Sequence, residues 1–137
     1  MRTLKVVLCM ALTASSSLAQ DSHQLRICNG KAKTQTEMNA CAKDEAARVD
    51  AELNDIYRSL LTKTSSEPEA VGKIKAAERA WIAYRDAYLD AMYPAENKQA
   101  EYGSVYPMEV DLLRAQLTRQ HVAAVSQLLR QHSSQVR

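Results

Sequence analysis

Glycine and proline are scarce in this chain and phenylalanine is absent: its 137 residues include three Gly, three Pro and no Phe. A sheet-rich fold needs many turn residues, and a phosphate-binding loop needs clustered glycines. The sequence has neither. Its many alanine, leucine, glutamine and arginine residues instead predict an all-α fold.

Long apolar runs are also missing. The apolar stretch Val6–Leu12 is far too short to span a bilayer. Arg2 and Lys5 precede it, and small residues follow at the end of the segment. This order is typical of a Sec-type signal peptide and predicts cleavage after Ala19. We therefore expect a periplasmic or secreted mature protein, residues 20–137, that forms one domain and keeps no membrane anchor.

Neither sign of charge is in excess once the signal peptide is removed. The chain holds 18 Lys and Arg against 16 Asp and Glu, and residues 1–19 contain two of the basic residues and no acidic one. The mature chain therefore carries 16 of each. This balance, with no basic tract interleaved with aromatics, argues against a nucleic-acid partner.

Cysteine is limited to three residues. Cys9 lies inside the signal segment and follows Leu8 rather than a small residue, so we do not interpret it as a lipidation site. Cys28 and Cys41 remain as an even pair in an oxidising compartment. This favours a disulfide over a metal site or a thiol nucleophile.

Start and stop signals predict three helices. Residues 34–37 (Thr-Gln-Thr-Glu) fit a capping box that opens a helix running to about Lys63. A second helix begins at Pro68, where proline is tolerated in the first turn, and ends before Pro94. A third begins near Pro107. With one short and one longer connection, these helices predict a small antiparallel bundle.

Apolar residues recur at steps of three and four along each predicted helix, which indicates one buried stripe per helix. Residues 20–33 are polar and predict an irregular arm. The predicted stripes are Ala42, Ala46, Val49, Leu53, Ile56 and Leu60 on the first helix, Val71, Ile74, Ala77, Trp81, Tyr84, Tyr88 and Ala91 on the second, and Val110, Leu113, Leu117, His121, Ala124 and Leu128 on the third.

No motif for catalysis or metal binding stands out. Residues 50–54 imitate the start of a calcium loop, but Asp55 replaces the required glycine and Leu61 the required glutamate. The three histidines lack the spacing of a metal set, and no GxSxG occurs. We therefore predict no cofactor, no metal and no enzymatic activity.

Polar side chains interrupt the helical stripes. Asp50, Asn54 and Tyr57 share one face of the first helix, while Arg85 lies one turn from Trp81 on the second. Arg85 can donate five hydrogen bonds, and Asp50 across the bundle can accept some of them. One interpretation is a binding cluster. We prefer the other, a buried network that fixes helix register.

The connection from Pro94 to Tyr106 is rich in tyrosine. We select Tyr102, Ser104 and Tyr106 as candidate partner-binding residues, because loops on rigid scaffolds often carry function and tyrosine suits interfaces. The alternative is that the tyrosines pack the loop onto the end of the bundle.

Five segments in order make residues 28–129 resemble the LprI-type lysozyme-inhibitor domain. They are Cys28, Thr34-Gln35-Thr36-Glu37-Met38-Asn39-Ala40-Cys41, Asp50-x-x-Leu53-Asn54-x-x-Tyr57, Ala80-Trp81-Ile82-x-Tyr84-Arg85-Asp86 and Leu117-Thr118. The resemblance implies a small periplasmic or secreted helical domain in which Cys28 and Cys41 are bonded. One member of the family is associated with lysozyme inhibition. Together with the tyrosine-rich loop, this leads to the hypothesis of a binding protein that occludes a lysozyme cleft. The competing hypothesis is a non-enzymatic adaptor or structural domain of the envelope that contacts another periplasmic protein.

Some positions depart from the family pattern. Leu89 and Leu113 stand where a second cysteine pair is usual, which suggests an apolar contact in place of a disulfide. Glu78 replaces the usual glutamine and His121 the usual arginine, while only Gly103 remains of a customary glycine pair. We interpret His121 as a hydrogen-bonded bundle residue rather than a pH sensor.

Overall fold

A computed structural model describes residues 22–134 of the chain. The predicted signal peptide and its cleavage after Ala19 lie outside the described residues. Within them the fold is all-α with one disulfide, as predicted. No strand occurs between residues 22 and 134.

Three long helices carry the fold and correspond to the three that were predicted. Two short helices and a 3₁₀ turn accompany them, so the predicted count of about three helices is too low. In chain order the elements are α1 (His23–Lys31), α2 (Gln35–Lys63), α3 (Pro68–Met92), α4 (Lys98–Tyr102), the 3₁₀ turn Gly103–Val105, and α5 (Tyr106–Ser134).

The N-terminal segment is a helix, so the prediction of an irregular arm over residues 20–33 is wrong. The hydroxyl of Ser22 caps α1 by accepting the Leu25 amide at 3.1 Å. Leu25 is the buried residue that anchors α1. A single apolar anchor in a polar nine-residue helix leaves almost no periodic signal, which is why the sequence pattern missed it. Cys28 bonds to Cys41 and joins α1 to α2.

The predicted helix starts are confirmed. The hydroxyl of Thr34 accepts the Glu37 amide, and the Glu37 carboxylate accepts the Thr34 amide at 3.0 Å. Pro68 occupies the first turn of α3. At the far end of α2, the buried hydroxyl of Thr64 donates to the Leu60 carbonyl at 2.9 Å.

The helices run up, down and up. The starts of α2 and α5 meet where Gln35 contacts Met108, and their later turns share a cluster containing Leu60 and Val125, so these two helices are parallel. The α3 helix is antiparallel to both, because Leu89 near its C-terminal end packs near the start of α5. The largest interface of the fold joins α2 to α5.

The predicted stripe of α2 is confirmed: five of its six residues are buried and Ile56 packs against the same core. The stripe of α5 is wrong in its second half. Ala124 and Leu128 are exposed, whereas Val125 is buried and Leu129 packs against it. The reason is that α5 contacts α2 on one side and α3 on another, so its buried surface is wider than one stripe.

The predicted stripe of α3 is also partly wrong. Ala77, Tyr84, Tyr88 and Ala91 are exposed, and Tyr84 retains 57% of its accessible surface. The inward side carries Ile74, Leu89 and three half-buried residues between them, namely Glu78, Trp81 and Arg85. Arg85 pairs with Asp50 on α2, and Glu78 contacts His121 on α5. These polar contacts favour the orientation of α3 in which both side chains face inward.

A buried carboxylate lies where α1, α2 and α5 meet. Glu45 is 3% exposed and accepts the Ser22 hydroxyl at 2.7 Å, the Arg48 guanidinium at 2.7 Å, and Arg119 from α5. Burial acts to raise the pKa of Glu45. The hydrogen bonds from Arg48, Ser22 and Arg119 outweigh it and hold that pKa below its ordinary value of 4.5.

Replacing Cys28 and Cys41 by serine should destabilise the protein. The disulfide closes a segment with a sequence separation of 13, and removing a loop closure of this size costs about 3 kcal/mol in the unfolded-chain entropy estimate. We expect the melting temperature to fall by on the order of 10 °C. Dithiothreitol should lower the melting temperature of the wild type equally and leave the double variant unchanged. Equal melting of oxidised and reduced wild type would contradict this.

Glu45→Gln should destabilise the fold at neutral pH by about 1.5–3 kcal/mol, because charge-assisted hydrogen bonds are lost. The pKa of Glu45 is lower in the folded protein than its ordinary value. The carboxylate therefore stabilises the fold at pH values above its ordinary pKa. This stabilisation disappears as the pH falls through the pKa of the folded protein. Urea unfolding from pH 7 to pH 3 should therefore show the two proteins converging below about pH 4.5. Glu52→Gln, an exposed change on the same helix, is the control. A constant difference across this pH range would refute the assignment.

Candidate functional site

The predicted polar network brings α2 and α3 together at Arg85. The Asn54 amide donates to the Asp50 carboxylate at 3.3 Å, and the Arg85 guanidinium lies 3.8 Å from the same carboxylate. Arg85 also covers the Trp81 ring at 5.1 Å and pairs with Asp86 at 2.9 Å. The guanidinium links the two helices, but Asn54 is exposed and Asp50 remains 53% exposed, so the prediction of a buried network is wrong for these two residues. That this contact fixes helix register stays a prediction.

Tyr57, the remaining member of the predicted network, lies with the apolar core. Its ring packs against the cluster that contains Leu53, Leu60 and Ile74. Burial raises the pKa of Tyr57, and the charge of Glu78 raises it further. A partly buried phenol near a carboxylate stays neutral at physiological pH, so Tyr57 contributes packing here rather than charge.

An aromatic stack joins α3 to α5. The rings of Trp81 and His121 are parallel, with centroids 4.0 Å apart and an interplanar angle of 4°. The Nε2 atom of His121 is 2.8 Å from a Glu78 carboxylate oxygen. The resemblance leads us to expect glutamine and arginine at positions 78 and 121, and in this chain the two residues present contact each other directly.

The two leucines at the positions of a customary cysteine pair lie in one cluster. Leu89 is buried with Val110 and Leu117, and Leu113 packs against them. Fully burying a leucine contributes about 1.5–3 kcal/mol. The cluster thus holds the end of α3 against the start of α5, where the resemblance suggested an apolar contact.

The connection between α3 and α5 is built on a tyrosine cluster, Tyr93, Tyr102 and Tyr106. Tyr93 meets the other two edge-on at 5.3 and 5.1 Å, and Tyr102 stacks on Tyr106 at 5.8 Å. The Tyr102 hydroxyl accepts the Ala95 amide at 3.1 Å. These aromatic contacts make the connection a packed element, and Tyr93 is a member that the sequence-based selection of Tyr102, Ser104 and Tyr106 omitted.

Further contacts attach this connection to the bundle. The Asn39 side chain on α2 donates to the Ser104 carbonyl at 3.0 Å, which leaves the Ser104 side chain exposed to solvent. Lys98 donates to the Tyr93 carbonyl. Gly103 ends α4 with φ of 69°, a conformation that favours glycine, so the glycine that remains of the family's pair is the one this turn requires.

The surface of this connection is acidic, although residues 20–137 together contain equal numbers of basic and acidic residues. Glu96, Glu101 and Glu109 are exposed here, and the one nearby cation on this connection, Lys98, lies 3.6 Å from Asp90. Burial and then the charge of Glu109 raise the pKa of Tyr93, so its hydroxyl remains protonated. We call the exposed residues Glu96, Glu101 and Ser104, with the tyrosine cluster beneath them, the acidic loop.

Two features are absent from the described part of the chain. Between residues 22 and 134, no three His, Cys, Asp or Glu side chains come together as a metal ion requires. No helix in that part is long and apolar enough to cross a membrane. The bundle and its disulfide define a small helical domain.

Comparison with known proteins places this domain in a family. The family model described as lysozyme inhibitor LprI matches residues 28–124, close to the 28–129 expected from the sequence. An uncharacterized protein of Rhizobium meliloti (strain 1021) is 31% identical over 92% of this chain and 91% of its own length. No solved structure matches. The chain belongs to the LprI family of lysozyme inhibitors.

The contact between Glu78 and His121 should appear as coupling in a double-mutant cycle. Alanine at either position and at both, measured by urea unfolding at pH 7, should give a coupling of about 1 kcal/mol, typical of a partly buried hydrogen bond. The exposed pair Glu69 and Lys73, 2.8 Å apart on α3, is the matched control and should give below about 0.5 kcal/mol. Equal coupling in both cycles would show that the contact between Glu78 and His121 contributes no more than an exposed ion pair.

Proposed function

We propose that this protein is a periplasmic or secreted inhibitor that binds lysozyme through the acidic loop. The match of the LprI family model over residues 28–124 is the observation that carries the proposal. The order of charged, apolar and small residues before Gln20 supports export to the compartment where lysozyme attacks the cell wall.

Occlusion of the lysozyme cleft is the mechanism that this geometry supports best. A lysozyme cleft works with two carboxylates flanking the glycosidic bond, and a protein that fills the sugar subsites blocks it without chemistry. The Ser104 hydroxyl can donate and accept hydrogen bonds there. The tyrosine cluster holds the loop rigid, which lowers the entropy lost on binding.

Local charge supports the same surface. Many lysozymes are strongly basic, and the neutral mature chain as a whole gives no attraction to them. The exposed Glu96 and Glu101 supply an electrostatic attraction at the loop. A local patch of charge steers a partner of opposite charge even when the net charge of the protein is zero. An adaptor role remains the second candidate, and the exposed apolar side of α3 is the observation that favours it.

Oxidised protein, residues 20–137, should inhibit wall lysis when titrated against c-, g- and i-type lysozymes. The double variant Glu96→Gln/Glu101→Gln should weaken inhibition of a basic lysozyme by on the order of tenfold at low salt, and the difference should shrink as salt screens the charges. Glu67→Gln/Glu69→Gln, at the opposite end of α3, should inhibit as the wild type does.

Two outcomes would count against this assignment. If folded, disulfide-bonded protein inhibits none of the three lysozyme types, the inhibitor function is wrong and the adaptor role is preferred. If both charge variants inhibit equally well, the acidic loop is not the binding surface, although inhibition itself would stand.

A further inference from the structure

The side of α3 that faces away from α2 and α5 is apolar. Eight residues on that side are exposed, and at 100° per residue they lie within an arc of about 140°. They are Ala76, Ala77, Ala80, Ala83, Tyr84, Ala87, Tyr88 and Ala91. We call this surface the outer face of α3.

The outer face contains no charged residue. Glu78 and Arg85 point into the bundle, and Arg79, Asp86 and Asp90 lie along one edge of the face. A solvent-facing helix side normally carries charged and polar residues. The face extends over more than four helical turns, which is unusual for a surface that meets only water.

We propose that the outer face of α3 packs against the same face of a second copy of this chain. The two α3 helices lie antiparallel about a twofold axis, the symmetry most common in dimers of identical chains. This association goes beyond the inhibitor function and does not depend on it.

Charge along the edge of the face selects the antiparallel arrangement. Lys75 and Arg79 lie in the N-terminal half of α3, and Asp86 and Asp90 in the C-terminal half. A twofold axis between residues 82 and 83 puts Arg79 opposite Asp86 of the second copy, and Lys75 opposite Asp90. Asp86 and Asp90 have partners in their own chain, yet their side chains are 57% and 80% exposed and can accept further bonds.

Side-chain size fits the same register. With the axis between residues 82 and 83, Tyr88 of one copy lies opposite Ala77 of the other. Tyr84 lies at the level of residue 81, where the exposed neighbour on the outer face is Ala80. The Tyr84 and Tyr88 rings are 5.9 Å apart and form one ridge. Alanines across from them leave a groove for that ridge, so the helices can approach to about 8–10 Å.

The outer face is small for an interface, which is typical of a weak association. Residues 76–91 span about 24 Å of helix, and two such faces bury on the order of 1,000 Å², at the low end for specific interfaces. We therefore expect a reversible dimer with a dissociation constant on the order of 10–100 µM.

Sedimentation equilibrium of oxidised protein, residues 20–137, from 1 µM to 1 mM tests this proposal. The mean mass should rise from monomer toward dimer across that range. Ala80→Glu, which places a charge in the centre of the exposed face without touching the core, should weaken dimerisation at least tenfold. Ala51→Glu, an exposed position on α2, should dimerise as the wild type does. Circular dichroism should show all three proteins equally helical.

Charge reversal tests the register. Arg79→Asp should weaken the dimer because it puts like charges opposite each other, and adding Asp86→Arg should restore it. A monomer at every concentration overturns the proposal, as does a dimer unaffected by Ala80→Glu. Loss of lysozyme inhibition in Ala80→Glu, with no change in mass, would assign the face to lysozyme instead. Wall-lysis assays of the same samples keep failure of the dimer distinct from failure of the inhibitor function.

Discussion

The buried carboxylate of Glu45 is the interaction on which the arrangement of α1, α2 and α5 depends. A carboxylate this deep is costly unless charged donors reach it. Its donors come from Ser22 at the start of α1, from Arg48 on α2 and from Arg119 on α5. Apolar surfaces tolerate small sliding movements, whereas these hydrogen bonds do not. The three helices are therefore fixed around one point, and the disulfide at Cys28 holds the other end of α1.

The α3 helix is held by different means. Its only buried residues are Ile74 and Leu89, and the flat stack of Trp81 on His121 joins α3 to α5. Bulky and polar residues occupy the inward side, so the small residues of α3 face outward. The same rotation that satisfies Glu78 and Arg85 thus creates an uncharged outer surface, and the structural network and the proposed dimer face share one physical cause.

Sequence periodicity could predict α2 almost completely, because its capping box and its apolar stripe agree. It could not choose between two sides of α3, since Tyr84 and Tyr88 recur at helical spacing just as Trp81 and Arg85 do. Partners on other helices decide that choice, and one segment does not contain them. Glu45 was detectable in principle, because it lies in register with the buried α2 stripe, where a charge demands a partner. The tyrosine cluster could not be predicted from the sequence, because the turn at Gly103 is what brings its members together.

The acidic loop and the outer face of α3 are separate surfaces, and antiparallel pairing keeps them so. The loop follows the C-terminal end of α3, hence two antiparallel α3 helices carry their loops to opposite ends of the dimer. Neither loop is covered, and each copy keeps its own Glu96 and Glu101 exposed. Such a dimer presents two equivalent surfaces that face in opposite directions. This geometry allows two partner molecules to bind, one at each end of the dimer, and does not allow both surfaces to contact the same molecule. The proposed association through α3 would therefore increase valency and leave the proposed lysozyme-binding surface uncovered.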